Sequence, residues 1–183
     1  DGPRMVRTPW YDPPIPFEDA AEIGTKKVIT DHSTMGILVT TDGSITDLPR
    51  EAYVEAEQRV VAEMTELNKP FIVVLNSRHP EEEETLQLAA QLEEEYQVPV
   101  LPTNVAGLDE EGIMNILEVI LFEFPVSEVN IGLPQWIVEL DCDHWLRAKF
   151  EDAVHCAISD VKRLRDIDQS IQCLSAYDFV KDI

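Results

Sequence analysis

Five polar residues follow two apolar runs of the sequence, at the point where each run ends. The runs span residues 71–75 and 98–102 and have the composition of buried strands. Polar side chains at the carboxyl ends of parallel strands are where open α/β sheets bind ligands. The sequence therefore predicts a ligand-binding site at these two strand ends. Its residues are Asn76, Ser77, Arg78, Thr103 and Asn104.

Asn76 begins a stretch that occupies the place where P-loop GTPases carry the N/T-K-x-D motif, whose aspartate reads the guanine edge. Here His79 stands in the place of that aspartate, and the first acid is Glu81. Without this carboxylate, nothing accepts hydrogen bonds from the N1 and N2 donors of guanine. Two interpretations stay open: a base-side loop that does not select guanine, or a strand-to-helix turn with Asn76 as a turn residue.

Phosphate-binding and metal-binding motifs are missing from the sequence. It contains neither G-x-x-x-x-G-K-[ST] nor G-x-G-x-x-G. Residues 107–112 have the glycine spacing of a P-loop, but Ile113 replaces its lysine and three acids lie inside, so this loop would repel phosphate. Residues 40–44 are interpreted as a turn, and residues 141–144, which include Cys142, as the entry to a helix. We therefore predict no catalytic residue and no metal ligand.

The elements that position these residues alternate along the chain. Strands are predicted over 35–41 and 71–75, both covered on two faces. A shorter strand is predicted over 98–102, and its prolines indicate an edge position or a strand boundary. Helices are predicted over 18–33, from Pro49 to residue 67, after Pro80, and over 109–122. The last of these has five inward apolar side chains. They are Ile113, Ile116, Leu117, Ile120 and Leu121.

The two ends of the chain have a different pattern. Residues 1–17 hold five prolines, which predicts an irregular segment. Residues 126–140 alternate loosely and predict one or two strands of another sheet. From Trp145 to about residue 170, apolar residues recur at helical spacing and predict one long helix, whose apolar stripe would favour self-association. The helix–strand alternation without a phosphate loop, in a chain that lacks an initiator methionine, predicts the back half of a nucleotide-binding domain.

Composition limits the partners. The net charge is −22, with −17 in residues 1–125 and −5 in residues 126–183. Such a field repels phosphate backbones and anionic lipids, so nucleic acid is not an expected partner. Three cysteines without a C-x-x-C pair predict a reducing compartment. Without a signal peptide or an apolar stretch of about 20 residues, the chain is expected to be cytosolic and soluble.

Short sequences of unusual composition are found along essentially the whole chain. They include Gly2-Pro3-Arg4-Met5, Thr8-Pro9-Trp10-Tyr11, Pro14-Ile15-Pro16-Phe17, Asp31-His32-Ser33-Thr34, Thr40-Thr41-Asp42-Gly43, Phe122-Glu123-Phe124-Pro125, His144-Trp145-Leu146 and Lys162-Arg163-Leu164-Arg165. Together they resemble the stage IV sporulation protein A family, morphogenetic ATPases of endospore-forming bacteria. The resemblance implies an α/β fold, an incomplete P-loop NTPase-like parallel sheet of the translation-factor class. Residues 1–125 would be the C-terminal half of this ATPase domain, and residues 126–183 the start of a middle α+β domain with a long helix.

The resemblance also implies a function. In the whole protein, ATP hydrolysis with Mg²⁺ would drive self-assembly into the basement layer of the spore coat, in the mother cell on the outer forespore surface. Stage V sporulation protein M would anchor it through a C-terminal region, and other coat morphogenetic proteins would dock on it. The phosphate-binding lysine and the magnesium ligands would lie upstream of Asp1, so the chain alone is expected to be inactive.

Two alternatives stay open at this point. The chain could be a non-enzymatic assembly module of the spore coat, with residues 3–17 and the helix from Trp145 as its contact surfaces. A complete flavodoxin-like or receiver-like domain that binds a small ligand is the weaker alternative, since the first strand and a phosphate loop are missing.

Overall fold

A three-stranded parallel sheet forms the centre of the first part of the chain. The computed structural model describes residues 2–141, 143–175 and 177, and the chain divides into two compact units between residues 111 and 112. The strands are β3 (Gly36–Thr41), β4 (Phe71–Asn76) and β5 (Val100–Thr103), in the order β3-β4-β5. The predicted parallel strands are confirmed, and β5 lies at an edge as its prolines indicated.

Two helices cover one face of this sheet. They are α2 (Glu51–Glu66) and α3 (Glu83–Tyr96), each with an apolar stripe toward the strands, as predicted. β4 lies between two neighbours and is buried from Phe71 to Leu75. The core between helices and sheet is made of Val61, Met64, Phe71, Val73, Leu75, Ala89, Leu92, Val98 and Val100.

The other face of β3 is open. Ile37 and Val39 are 45% and 57% exposed, although Ile72 and Val74 beside them in β4 are buried. The expectation that this strand is covered on both faces was therefore wrong. An apolar run reports only that a strand can be buried, because the cover has to come from other parts of a protein.

The N-terminal segment is a β-hairpin followed by a helix. β1 (Met5–Thr8) pairs antiparallel with β2 (Tyr11–Pro16), and α1 (Phe17–Lys27) continues into a π-helical turn, Val28–His32. The predicted helix over 18–33 is confirmed. The prediction that residues 1–17 are irregular was wrong, because most of them form the hairpin. The pairing register shifts between Val6 and Thr8, so Pro13 and Pro14 lie within an irregular part of the ladder, where prolines are tolerated.

The second unit is helical. Its elements are α4 (Glu110–Phe122), which contains the division between the units, α5 (Gln135–Val138), α6 (Trp145–Ile158) and α7 (Asp166–Ser175). In α4 only Ile116 and Ile120 are buried, so the prediction of five inward apolar side chains was wrong. The strands predicted over 126–140 are also wrong: in this described stretch, α5 is the only regular element. Gly132 and Pro134 interrupt the alternation, and no strand among the described residues pairs with this stretch.

The predicted long helix is two helices. The chain leaves α6 after Ile158, runs back along residues 122–126, and then enters α7. Arg163 forms a β-bridge with Pro125, and Val126 N–H donates to Lys162 O at 2.9 Å. The buried carboxylate of Glu123 pairs with Arg163 at 2.5 Å and with Arg165 at 3.0 Å. These contacts fix the break. None of the helices in the described ranges has the length and apolar character that a membrane crossing requires.

Candidate functional site

The ends of the three parallel strands lie side by side. The register pairs Thr41 with Asn76 and Asn76 with Thr103. The three loops that follow the strands therefore begin at one edge of the sheet, as expected for parallel strands. We call this the carboxyl edge and define it as residues 41–45, 76–79 and 103–107. All five residues predicted from the sequence lie on it.

Asn76 joins β4 to the loop after β5. Its Oδ1 accepts a hydrogen bond from the main-chain N–H of Val105 at 3.1 Å. Ser77 N–H donates to Thr103 O at 3.0 Å, and Gly107 N–H donates to Asn104 O at 3.0 Å to close a 3₁₀ turn. The structure thus brings Asn76, Thr103 and Asn104 together. The side chain of Asn76 fixes the position of the loop, and Asn104 lies exposed on it.

Ser77 lies at this edge with its side chain turned inward. The residue has no exposed surface, and its Oγ accepts from the N–H of His79 at 2.9 Å. This is the geometry of a serine that forms a turn through its own hydroxyl. In this conformation Ser77 is placed to shape the loop after β4 rather than to touch a ligand.

Arg78 connects the loop after β4 to the loop after β3. Its N–H donates to Ser44 Oγ at 3.0 Å, and its guanidinium donates from Nη2 to Ile45 O at 3.4 Å. Arg78 is exposed at the mouth of the edge. It is the cation that the carboxyl edge can present to an approaching ligand.

Residues 41–44 form a tight turn around a carboxylate. Asp42 Oδ1 accepts from the N–H of Ser44 at 2.9 Å and from its hydroxyl at 2.6 Å, and Gly43, with φ of +94°, donates its N–H to Thr41 Oγ1 at 3.1 Å. Burial opposes ionisation, but the hydrogen bonds from Ser44, Ser77 and Thr41 outweigh it and hold the pKa of Asp42 below its usual value. The turn interpretation is confirmed.

Sequence reasoning left Asp42 and Ser44 out of the site. The signal was available, because residues 40–44 follow a strand that is parallel to β4. In a parallel pair, loops after neighbouring strands start at the same edge. The contact between Ser44 and Arg78 is the consequence.

A buried ion pair occupies the inner side of this edge. Arg50 donates to Glu57 from Nη1 at 2.7 Å and from Nη2 at 2.6 Å, and Tyr96 donates its hydroxyl to the same carboxylate at 2.6 Å. Arg50 also donates to Thr40 Oγ1 at 3.3 Å. Burial raises the pKa of Glu57, but these bonds from Arg50, Thr40 and Tyr96 outweigh it and keep the pKa below the usual value. The guanidinium of Arg50 is thus engaged in a structural ion pair.

Two positions weighed in the sequence have ordinary surroundings. His79, in the place of a guanine-reading acid, lies 3.8 Å from Glu82, and both side chains are exposed. His144 begins α6, where its Nδ1 accepts from the N–H of Leu146 at 3.2 Å, which confirms the helix entry. Cys142 lies outside the described residues. In the described part of the chain, no three metal-ligating side chains come together.

A parallel α/β sheet with polar loops gathered at its carboxyl edge is the architecture of a ligand-binding α/β domain. The family model described as "Stage IV sporulation protein A, ATPase domain" matches residues 1–125, and the one described as "Stage IV sporulation protein A, middle domain" matches residues 126–183. The chain therefore belongs to the stage IV sporulation protein A family of sporulation proteins.

Three curated relatives agree with this assignment. The chain is 50% identical over 180 residues to stage IV sporulation protein A of Bacillus anthracis, with 98% of the chain and 37% of the relative covered. It is 47% identical to the Bacillus subtilis (strain 168) protein, over 99% of the chain and 37% of the relative. It is 48% identical to the Clostridioides difficile (strain 630) protein, over 98% of the chain and 36% of the relative. The chain thus spans little more than a third of these relatives. No solved structure matches it.

Proposed function

We propose that the carboxyl edge forms the base side of an ATP-binding site in a longer protein, and that this protein is an ATPase. The observation that carries the proposal is the pairing of Asn76 with Val105, because it holds the loops after β4 and β5 together at one edge of a parallel sheet. The family description of residues 1–125 as an ATPase domain supports it.

The side-chain amide of Asn76 fits an adenine edge. Its oxygen is used by Val105, and its nitrogen makes no hydrogen bond to the described residues, so two N–H donors remain for a ligand. Adenine offers ring-nitrogen acceptors that such a donor can reach. Asn104 and Thr103 are the further polar side chains of the loop that would flank the base.

Guanine is disfavoured at the same place. A guanine-selective site needs a carboxylate that accepts from N1 and N2 of the base. Three residues after Asn76 the chain has His79 in place of this carboxylate, and the nearby Glu82 lies 3.8 Å from the imidazole, with both side chains exposed. We therefore expect the site to bind ATP more tightly than GTP.

The phosphate side of the site requires residues that this chain does not contain. The sequence has no G-x-x-x-x-G-K-[ST] loop, and Arg50 is held by Glu57. Mg²⁺ and the phosphate cradle supply most of the electrostatic stabilisation in phosphoryl transfer. We therefore propose that residues 1–183 alone do not hydrolyse ATP, and that ATP and Mg²⁺ bind in the longer protein.

The biological setting is proposed from the family resemblance. ATP hydrolysis would drive self-assembly into the basement layer of the spore coat, in the mother cell on the outer forespore surface. Stage V sporulation protein M would anchor the layer through a region outside this chain, and other coat morphogenetic proteins would bind to it. The net charge of −22 argues against nucleic acid as a partner.

The test is turnover by the full-length protein that carries these residues, beside residues 1–183 alone. We expect Mg²⁺-dependent hydrolysis of ATP, slower hydrolysis of GTP, and pelletable polymer only with hydrolysable nucleotide. Residues 1–183 should show no turnover. Magnesium-dependent turnover by these residues alone, or a full-length protein that hydrolyses GTP as fast as ATP, would contradict the proposal.

A second candidate function is a non-enzymatic assembly module. It is favoured by the hairpin, on which Trp10 and Tyr11 are exposed, and by the exposed Phe17 that follows it at the start of α1. Tyr11→Ser in the full-length protein separates the two roles, with the exposed Thr46→Ser as a control. Loss of polymer with unchanged turnover would assign the hairpin to assembly contacts, and unchanged polymer would remove this candidate.

A further inference from the structure

The second unit contains an apolar groove with a volume of about 760 Å³. Its walls are the segment 129–134, α6 and α7, with Trp136 at one side. No charged side chain lines it, and the polar ones are Asn130 and Ser170. This volume lies within the range of about 300–1,000 Å³ that is typical of ligand pockets in whole proteins, although the groove belongs to one small helical unit.

The groove leaves apolar side chains of this unit uncovered. Trp136 is 55% exposed, and Ile131 and Ile171 are also exposed. By contrast, the buried apolar residues described for residues 112–177 are few and mostly small or medium in size. They are Ile116, Ile120, Ile137, Ala153 and Ala157. A contiguous apolar surface of this kind marks a place that another segment or partner covers.

We propose that this groove is filled by a segment of the same polypeptide that lies C-terminal to α7 in the longer protein. α7 forms one wall, so the chain leaves the helix beside the groove. More than three fifths of each curated relative lies outside the matched region, which supplies the length for such a segment. A tethered segment also binds at a high effective concentration. Such a segment would present apolar side chains to the groove, which no charged side chain lines.

A second copy of the chain is the less favourable occupant. Each copy carries a net charge of −22, and like charges of this size oppose association at moderate ionic strength. The groove itself has no cation to offset the repulsion. A covalently attached segment does not need a second highly charged chain to approach. The proposal does not depend on the proposed ATP site.

Photo-crosslinking in the full-length protein tests the inference. Trp136 is replaced by p-benzoylphenylalanine, an aromatic residue of similar size. The control places the same residue at Trp145, which is 64% exposed and does not line the groove. We expect crosslinks from position 136 to residues beyond 183 of the same molecule, which migrate as monomer, and no such crosslinks from position 145. Crosslinks from position 136 to a second molecule, or to other parts of the same chain, would overturn the inference.

Thiol labelling gives an independent readout if the aromatic replacement disturbs folding. In full-length protein whose native cysteines are changed to serine, Ile171→Cys places a thiol in the groove and Gln172→Cys places one outside it on the same helix. We expect the thiol at 171 to react with a maleimide at least about tenfold more slowly, at every protein concentration. Equal rates would overturn the inference, and so would protection that appears only as the protein concentration rises.

Discussion

Asn76 and Val105 are joined by a hydrogen bond of 3.1 Å from the main-chain N–H of Val105 to the side-chain oxygen of Asn76. The bond links the end of the central strand to the loop after its neighbour. Because the register already puts Asn76 beside Thr103, the chain after β5 is fixed at two positions, Thr103 and Val105. A loop held in this way is preorganised, so less ordering would be needed when a ligand binds.

We predict that Asn76→Ala loosens the loop after β5 without unfolding the sheet. The Val105 amide loses its acceptor, and a typical net hydrogen bond contributes about 1 kcal/mol, so its hydrogen exchange should become about fivefold faster. Asn76→Asp keeps an acceptor oxygen and is the matched control, in which protection should remain. Exchange at Val105 that is the same in Asn76→Ala and the unchanged chain would mean that the contact does not hold the loop.

Glu57→Gln should destabilise the first unit by about 3 kcal/mol at pH 7, because it leaves the buried charge of Arg50 without its partner. Since the pKa of Glu57 is lowered in the folded chain, its stabilisation is fully present above the ordinary value of 4.5 and is lost as the pH falls through the folded pKa. Hydrogen exchange of the β4 amides measures this. A penalty that stays constant down to the acid limit would rule out the ionised pair as the cause.

Lys69 closes the end of the π-helical turn after α1. Its Nζ donates to Ile29 O at 2.5 Å, Thr30 O at 2.7 Å and Ser33 O at 2.6 Å. Lys69→Met keeps the stem but removes these charged donors, so we expect a loss of about 2 kcal/mol in urea denaturation. The control Lys27→Met removes an exposed pair with Asp31 at 4.0 Å and should cost under about 0.5 kcal/mol. Equal losses in the two variants would refute this role.

Glu123 sets the break between α6 and α7. Glu123→Gln leaves Arg163 and Arg165, whose side chains are 37% and 41% exposed, beside a neutral group. We expect faster amide exchange over residues 161–166 together with a loss of about 1 kcal/mol. Glu128→Gln, on an exposed side chain, is the control and should change neither quantity. If the exchange over 161–166 is unchanged in Glu123→Gln, another contact holds the turn.

The elements that the sequence predicted well are those with strong local patterns. The run 71–75 is uniformly apolar and became the central strand, and the three- and four-residue spacing in α2 and α3 became helices. The positions of Asn76, Ser77, Arg78, Thr103 and Asn104 at the carboxyl edge could be predicted for the same reason, since they follow such strands, whereas Asp42 and Ser44 were left out. What the sequence could not supply was their roles, because the inward turn of Ser77 is settled by a hydrogen bond to His79.

The failures lie where distant contacts decide the structure. The periodicity from Trp145 continues through residues 159–165, yet Arg163 and Arg165 bind Glu123, some 40 residues earlier, and the helix breaks. The exposed side chains of Ile37 and Val39 have a similar cause. An apolar sequence indicates that a strand can be buried, but whether its face is covered depends on other segments of the protein. The hairpin was missed because Pro13 and Pro14 lie within an irregularity of its pairing, where they do not prevent the ladder.

Equilibrium binding of ATP to the full-length protein tests the central claim most directly. We predict that Asn76→Ala weakens ATP binding by about tenfold, equivalent to about 1.4 kcal/mol, through loss of the side-chain amide and its loop contact. The exposed Asn115→Ala on α4 should leave the affinity unchanged. An ATP affinity that is the same for Asn76→Ala, Asn115→Ala and the unchanged protein would contradict the assignment of the carboxyl edge as the base side of the site.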